Sequence, residues 1–396
     1  MQLSSHSQGR YYRPELDAVR LVAFVLVFLH HTLPESRNHS LTIDRILGSF
    51  SPIFYASVGA CRYGLSLFFT LSAFLICELL LREREFAGTI KVKQFYIRRI
   101  LRIWPLYYFA LCLGLIFVFL PGGNRSDING IGWFAVFLGA WRSSLFGSMN
   151  NPVNPLWSIS VEEQFYLFAP CAVKYLNRKS LYAFCAVIIL LSSIWLFHLS
   201  RLSATYIRIW ADTLVQFECF AAGILLCLML HGRMPRIALW QRLVLAAGCY
   251  LSWMAACYGL HYRVVRASGG PGSFALMGSY TIAALGSVLL LIAFFGFNPK
   301  LLPRWVIYLG RISFGLYVYH MFAIYIAEHL SIELLKLTRV SYFPLSVLLS
   351  AGLKLALPFG LTILMAAISY RYLETPFLKM KKRHSVIESQ PISIGD

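Results

Sequence analysis

Arg20-Leu-Val-Ala-Phe-Val-Leu-Val-Phe-Leu-His-His31 is the stretch on which the reading of this chain turns. Eleven steps along a 3.6-residue helix rotate through about 1100°, so Arg20 and His31 share one face, about 16 Å apart along the axis. Polar groups within a bilayer are costly and line pathways or reaction sites. A cation near one membrane face and a titratable imidazole deep on the same stripe therefore predict a conduit with chemistry in it. His30 points about 100° away and is expected to face lipid or a neighbouring helix, which makes it an internal control.

The rest of the chain supports a membrane setting. Of 396 residues, 58% are hydrophobic and 13% charged, about half the charge of a soluble domain. That composition predicts an all-α integral membrane protein and argues against a soluble enzyme. A net charge of +19 marks cytoplasmic loops in such a chain, so no nucleic-acid partner is expected. The first apolar segment follows Arg10, Arg13, Asp17 and Arg20 and lacks a small-residue cleavage site, so a cleaved leader is not expected. Nine cysteines form no C-x-x-C pair and read as packing residues, with no metal site.

Apolar runs occur near 21–34, 59–81, 104–120, 161–176, 181–199, 213–231, 243–260, 274–297, 312–330 and 344–369. A shorter run at 131–146 is interrupted by Trp141-Arg142-Ser143-Ser144. Treating it as a re-entrant or interfacial helix leaves about ten transmembrane helices in one bundle, with both termini cytoplasmic. The inner segments then hold 24 of the 36 Lys and Arg, and the outer loops 11, as the positive-inside rule requires. One membrane domain is expected over 11–378, followed by a short disordered cytoplasmic tail over 379–396.

Three segments carry chemistry. Arg98-Arg99-Ile-Leu-Arg102-Ile-Trp104-Pro105-Leu-Tyr107-Tyr108 places Arg99 and Arg102 three apart on one helix face, a two-guanidinium clamp suited to phosphate. The same charge would also serve lipid headgroups or topology alone. The aromatic residues after it would stack on the base of a nucleotide-bearing donor such as coenzyme A. Trp157-Ser158-Ile-Ser160-Val-Glu162-Glu163-Gln164 puts two carboxylates at the start of an apolar helix. They either favour that helix N-terminus or bring one acid near His31, orienting the imidazole and raising its basicity. Phe68-Phe69-Thr-Leu-Ser72-Ala73-Phe74 supplies a hydroxyl within a third apolar helix. Glu78 is expected to pair with the basic loop, and Lys354 either to snorkel or to pair with Glu218.

In these residues the chain resembles the acyltransferase-3 family of membrane acyltransferases. The resemblance rests on the Arg20–His31 offset and on those three segments, continued by Ser313-Phe-Gly-Leu-Tyr317-Val-Tyr-His320 and Ser369-Tyr370-Arg371-Tyr-Leu-Glu374-Thr-Pro376-Phe377. It runs in order from about 11 to 378. Ser72-Ala73-Phe74 departs from the family's usual Ser-Gly-Phe, which relaxes a close backbone approach. Some members add a C-terminal esterase-like domain, for which no room is expected before residue 396. The resemblance implies transfer of an acyl group, commonly acetyl, from cytoplasmic acyl-coenzyme A. The acceptor would be a hydroxyl of a cell-surface saccharide or of a small molecule.

On this reading Arg20, Arg99 and Arg102, helped by Arg98 and Tyr107, hold the donor. His31 is the general base, oriented by Glu163 or Glu162, and a covalent acyl-imidazole relay is the alternative route. Ser72, Trp157, Ser158, Gln164 and His320 line the substrate pathway. The rival class is an ion-coupled transporter or flippase for an anionic or saccharide substrate, since buried Arg, His and Glu also suit proton coupling. Transporters often show paired half-repeats with broken helices, and none is visible in the sequence.

Overall fold

The computed structural model describes residues 11–35, 41–120, 123–233, 235–259, 273–338 and 343–387. All regular structure among them is helical. The first third runs α1 (Pro14–Thr32), α2 (Leu41–Leu47), α3 (Ser51–Ala60), α4 (Gly64–Ala87) and α5 (Val92–Val118). Two short helices follow, α6 (Asp127–Ala135) and α7 (Gly139–Phe146), and then α8 (Trp157–Tyr175), α9 (Arg178–Arg201), α10 (Tyr206–Trp210) and α11 (Thr213–Leu230). The chain continues through α12 (Leu239–Met254), α13 (Ser273–Phe294), α14 (Arg304–Arg311), α15 (Ser313–Thr338), α16 (Phe343–Ser369) and α17 (Thr375–Lys382).

Helix boundaries follow local chemistry. Pro14 opens α1 with its preset φ, and Glu15 and Asp17 in the first turn suit the positive end of the helix dipole. Asp212 caps α11 by accepting the amides of Leu214 (2.9 Å) and Val215 (3.3 Å). Gly88 ends α4 in the left-handed region at φ 70°. The basic stretch 98–102 lies on α5 itself, which continues through Pro105.

Among the described residues, six stretches are long and apolar enough to cross a membrane by length and composition: Ile43–Ala87, Val92–Val118, Arg178–Arg201, Thr213–Leu230, Ser273–Phe294 and Gly352–Lys381. The other expected spans are α1, α8, α12 and α15. Three of these carry site residues: Asp17, Arg20 and His31 on α1, Glu162 on α8 and His320 on α15. Outer faces are greasy: Val187, Leu190, Leu191 and Ile194 of α9 recur at helical spacing and are exposed. Glu78, Gln216, Glu218 and His320 are buried instead. An apolar exterior around a polar interior is the distribution a bilayer selects.

Two expectations meet specific outcomes here. The run at 131–146 is divided between α6 and α7, of 9 and 8 residues. Each is about 12–14 Å long, too short for a hydrocarbon core of about 30 Å, which fits a re-entrant or interfacial element. The domain boundary drawn at 378 falls inside α17, and residues 379–387 continue onto the bundle rather than trailing off. Lys381 and Ile387 are buried there, and Arg98 Nη1 donates to the His384 carbonyl (2.9 Å). Only 388–396 of the expected tail lies outside the described residues.

α1 is held at close range from both sides. A Cβ at Gly310 of α14 would stand 1.9 Å from the Asp17 carbonyl oxygen, and one at Gly64 would stand 2.6 Å from that of Ala23. Only glycine permits those approaches. They fix the helix that carries Arg20 and His31.

Candidate functional site

A cavity of about 390 Å³ opens beside the Arg20 end of α1. Of the residues expected to act, Arg20, Ser72, Arg99, Arg102, Ser158 and Glu162 line it. They come from α1, α4, α5 and α8. Arg13, Arg311, Lys379 and Lys381 join them, so seven cations face the space against three acids, Asp17, Glu162 and Glu374. Such a wall attracts and holds anions.

The cations differ in how they are satisfied. Arg20 pairs with Asp17, whose other oxygen accepts from Tyr12 (2.9 Å). Arg99 has no acid partner among the described residues. Its guanidinium lies 5.5 Å from the ring centroids of both Phe95 and Tyr166, and its Nε is buried without a hydrogen bond. Arg102 likewise forms no ion pair among the described residues. Tyr166 is held by Ser72, hydroxyl to hydroxyl at 2.6 Å.

From the cavity a polar chain climbs toward His31. Ser158 and Tyr317 are hydrogen-bonded through their hydroxyls (2.6 Å), and Tyr317 also donates to the Pro155 carbonyl (3.0 Å). The Tyr317 ring lies 5.4 Å from that of His320, and His320 lies 5.2 Å from that of His31. His320 Nδ1 meets the Tyr317 carbonyl at 2.5 Å. A carbonyl only accepts, so Nδ1 carries the proton. Nε2 is left with its lone pair, buried and without a partner among the described residues. His31 itself is exposed.

Not every expected residue reaches this path. Arg98 is buried in an ion pair with Glu83 (2.7 Å) and braces the chain after α17 through His384. Tyr107 donates to the Phe134 carbonyl (2.7 Å) and stacks on Phe137 at 4.6 Å. Gln164 donates to the Phe137 carbonyl (2.9 Å). Phe137 has φ 57°, unusual for a bulky residue, at the break between α6 and α7. The aromatic cluster thus secures that break. Glu163 accepts weakly from Trp104 (3.4 Å), and its other oxygen is buried without a partner. Trp157 packs edge-on to Trp210 at 6.4 Å. Neither Glu162 nor Glu163 forms a hydrogen bond or ion pair with His31 among the described residues; the rings of His320 and His30 lie against it.

His30 forms an ion pair with Glu35, whose two oxygens each receive Arg62 Nη2 at 3.1 Å. Glu78 pairs with Arg82 (2.7 Å), Lys354 is exposed, and Glu218 accepts from Thr281 (2.7 Å). Sequence reasoning missed Arg311 and Lys381. Arg311 stands two residues before the Ser313–Tyr317 segment, a usable signal. Lys381 lies in Lys379-Met-Lys-Lys-Arg383, which reads as a solvated charge run.

These features, a membrane bundle with a cationic cavity leading to a histidine pair, accord with the family comparison. The acyltransferase domain model matches residues 13–365. The chain belongs to the acyltransferase-3 family, a class of acyl-transferring enzymes. It is 26% identical over 395 residues to the peptidoglycan O-acetyltransferase OatA of Listeria monocytogenes, covering 94% of this chain and 56% of that protein. A putative O-acetyltransferase of Staphylococcus aureus is 25% identical, covering 93% and 58%. The O-acetyltransferase OatA of the same species is 23% identical over 388 residues, covering 93% and 57%. The chain therefore spans little more than half the length of these relatives. No solved structure matches it.

Proposed function

We propose that this chain is an integral-membrane O-acyltransferase that moves an acyl group, acetyl in the first instance, from cytoplasmic acyl-coenzyme A to a hydroxyl of a cell-surface saccharide. A small-molecule hydroxyl is the other acceptor this chemistry admits. The relatives named for O-acetyl transfer, one of them to peptidoglycan, favour acetyl and a saccharide. The observation that carries the reading is the continuity from unpaired cations to histidine: Arg99 and Arg102 at the cavity, then Ser158, Tyr317, His320 and His31.

In this proposal Arg20, Arg99 and Arg102 hold the donor's phosphates, and its thioester arm extends past Ser72 and Ser158. His31 takes the proton of the acceptor hydroxyl. The hydroxyl oxygen attacks the thioester carbonyl, the C–S bond breaks, and the thiolate leaves and is protonated. His320, its tautomer set by Tyr317, orients the His31 ring. Glu162 and Glu163 act one step away, Glu162 on the cavity wall and Glu163 through Trp104. A second route passes the acyl group to His31 before the acceptor arrives.

Ten spans with both termini cytoplasmic place the cavity on the cytoplasmic side, consistent with the charge distribution. Reporters fused after Lys179 and after Arg236 should then read cytoplasm. The decisive assay is hydrolysis or transfer from radiolabelled acetyl-coenzyme A by purified protein in nanodiscs. Substrate transport without thioester cleavage would instead assign the chain to the transporter class.

A further inference from the structure

The C-terminal helix holds a charged group that the donor site has not yet used. Lys381 on α17 is only 4% exposed, yet it lines the cavity. Its ammonium has neither hydrogen bond nor ion pair among the described residues. The charges that act on it most strongly are Arg102, Arg99, Arg98 and Arg20, all of its own sign. Of these, Arg98 and Arg20 are neutralised by Glu83 and Asp17. Arg99 and Arg102 are not.

A buried lysine beside two unpaired arginines is unfavourable in the empty protein, because desolvated like charges repel and lack solvation. The fold nevertheless enforces the arrangement. α17 packs along α5, and Arg98 clamps the backbone three residues beyond Lys381 through the His384 carbonyl (2.9 Å). An anion entering between α5 and α17 would satisfy all three cations at once. Planar guanidinium groups from one helix and a point-charge ammonium from the other suit a phosphate or pyrophosphate approached from two sides.

We propose that Lys381 is a phosphate-binding residue, completing with Arg99 and Arg102 a three-cation site for the phosphorylated end of a nucleotide-type ligand. This rests on the donor reading given above and adds α17 to it. Lys379, exposed at the same cavity, lies outside this core and contributes only long-range attraction.

The test uses the full chain in nanodiscs, with acetyl-coenzyme A and adenosine 3′,5′-bisphosphate as probes. Lys381→Met should weaken both about tenfold or more, and Lys381→Arg should keep most of the affinity, as expected for a charge-assisted contact. The melting temperature of ligand-free Lys381→Met should not fall, since removing a repelled charge relieves the empty site; a structural lysine would give the opposite. Reductive methylation of wild-type protein provides a reading that needs no variant. Lys381 should be labelled in the empty protein and protected by adenosine 3′,5′-bisphosphate, with Lys379 protected less.

Unchanged acetyl-coenzyme A affinity in Lys381→Met, or equal labelling of Lys381 with and without ligand, overturns the proposal and leaves the donor reading intact. Lys381-dependent binding of the bisphosphate without any binding of acetyl-coenzyme A sustains the anion site and removes that donor. Failure of wild-type protein to bind either probe overturns both.

Discussion

Two ends of one helix treat buried charge in opposite ways. Beyond the His31 end of α1, Arg62 is 3% exposed and fully engaged. It donates to the Gly59 carbonyl (2.7 Å), to the Tyr206 hydroxyl (2.6 Å) and to both oxygens of Glu35 (3.1 Å), which also holds His30. At the Arg20 end, Arg99 rests between two aromatic faces and Arg102 and Lys381 have no acid partner among the described residues. A buried pair becomes an uncompensated charge when one partner is removed, whereas buried groups held without a partner cluster at functional sites. Under the proposed function, the difference separates residues that build the bundle from residues that bind the donor.

The largest effect should come from His31, which belongs to neither class of charge. His31→Ala and His31→Gln should each lower acyl transfer from labelled acetyl-coenzyme A by about 10²–10⁴-fold, the usual loss of a general base. Donor binding should persist in both, because the cavity does not include His31. Near wild-type turnover in His31→Ala would break the link between the two ends.

Next come the paired arginines, whose loss should register as instability. Arg62→Ala and Arg98→Ala each take a guanidinium from an acid, leaving Glu35 with His30 and Glu83 with the Lys91 amide. Breaking a buried pair costs about 3–5 kcal/mol. Arg98→Ala should fall within that range, and Arg62→Ala near its lower end because Glu35 stays partly exposed. Thermal unfolding in detergent measures this. Arg98→Ala that weakens donor binding while leaving the melting temperature unchanged would move Arg98 into the ligand group.

Arg99→Ala and Arg102→Ala should show the converse, with donor affinity reduced by roughly 1.5–3 kcal/mol, tenfold or more, for a lost charged hydrogen bond. Stability of the empty protein should hold. Lysine at either position should rescue only in part, since it lacks the planar fork. Titration with acetyl-coenzyme A distinguishes these outcomes, and unchanged affinity in both alanine variants would leave the pair as topology signals.

The spans and the polar stripe of α1 were legible in the sequence, for reasons of periodicity. Apolar runs locate spans because a bilayer demands them, and the eleven-residue offset placed Arg20 and His31 on one stripe that the structure joins through His320, Tyr317 and Ser158. Pairing was not legible. Nothing in Arg98-Arg99 tells which guanidinium meets Glu83, fifteen residues earlier across a turn. Tyr107 and Gln164 read as ligand contacts because their types suit one, whereas a tertiary accident, the positive φ of Phe137, occupies both. Lys381 was hidden by its neighbours: a run of cations near a terminus looks solvated until α17 is seen against α5.

The smallest expected effect is also the sharpest test of the helical register. His30 and Glu35 are both partly exposed, and such a pair is worth about 0–1 kcal/mol. His30→Ala should therefore lower the melting temperature slightly and retain substantial transferase activity. Arg62 would still bind Glu35, so the outer cluster keeps its main contact. His30 does lie against the His31 ring at 5.1 Å, so a modest fall in turnover without a change in donor affinity is compatible with a packing role. A loss as deep as that of His31→Ala is not. It would mean that the Glu35-bound imidazole supplies the base, and that at this end of α1 the paired group, rather than its exposed neighbour, does the chemistry.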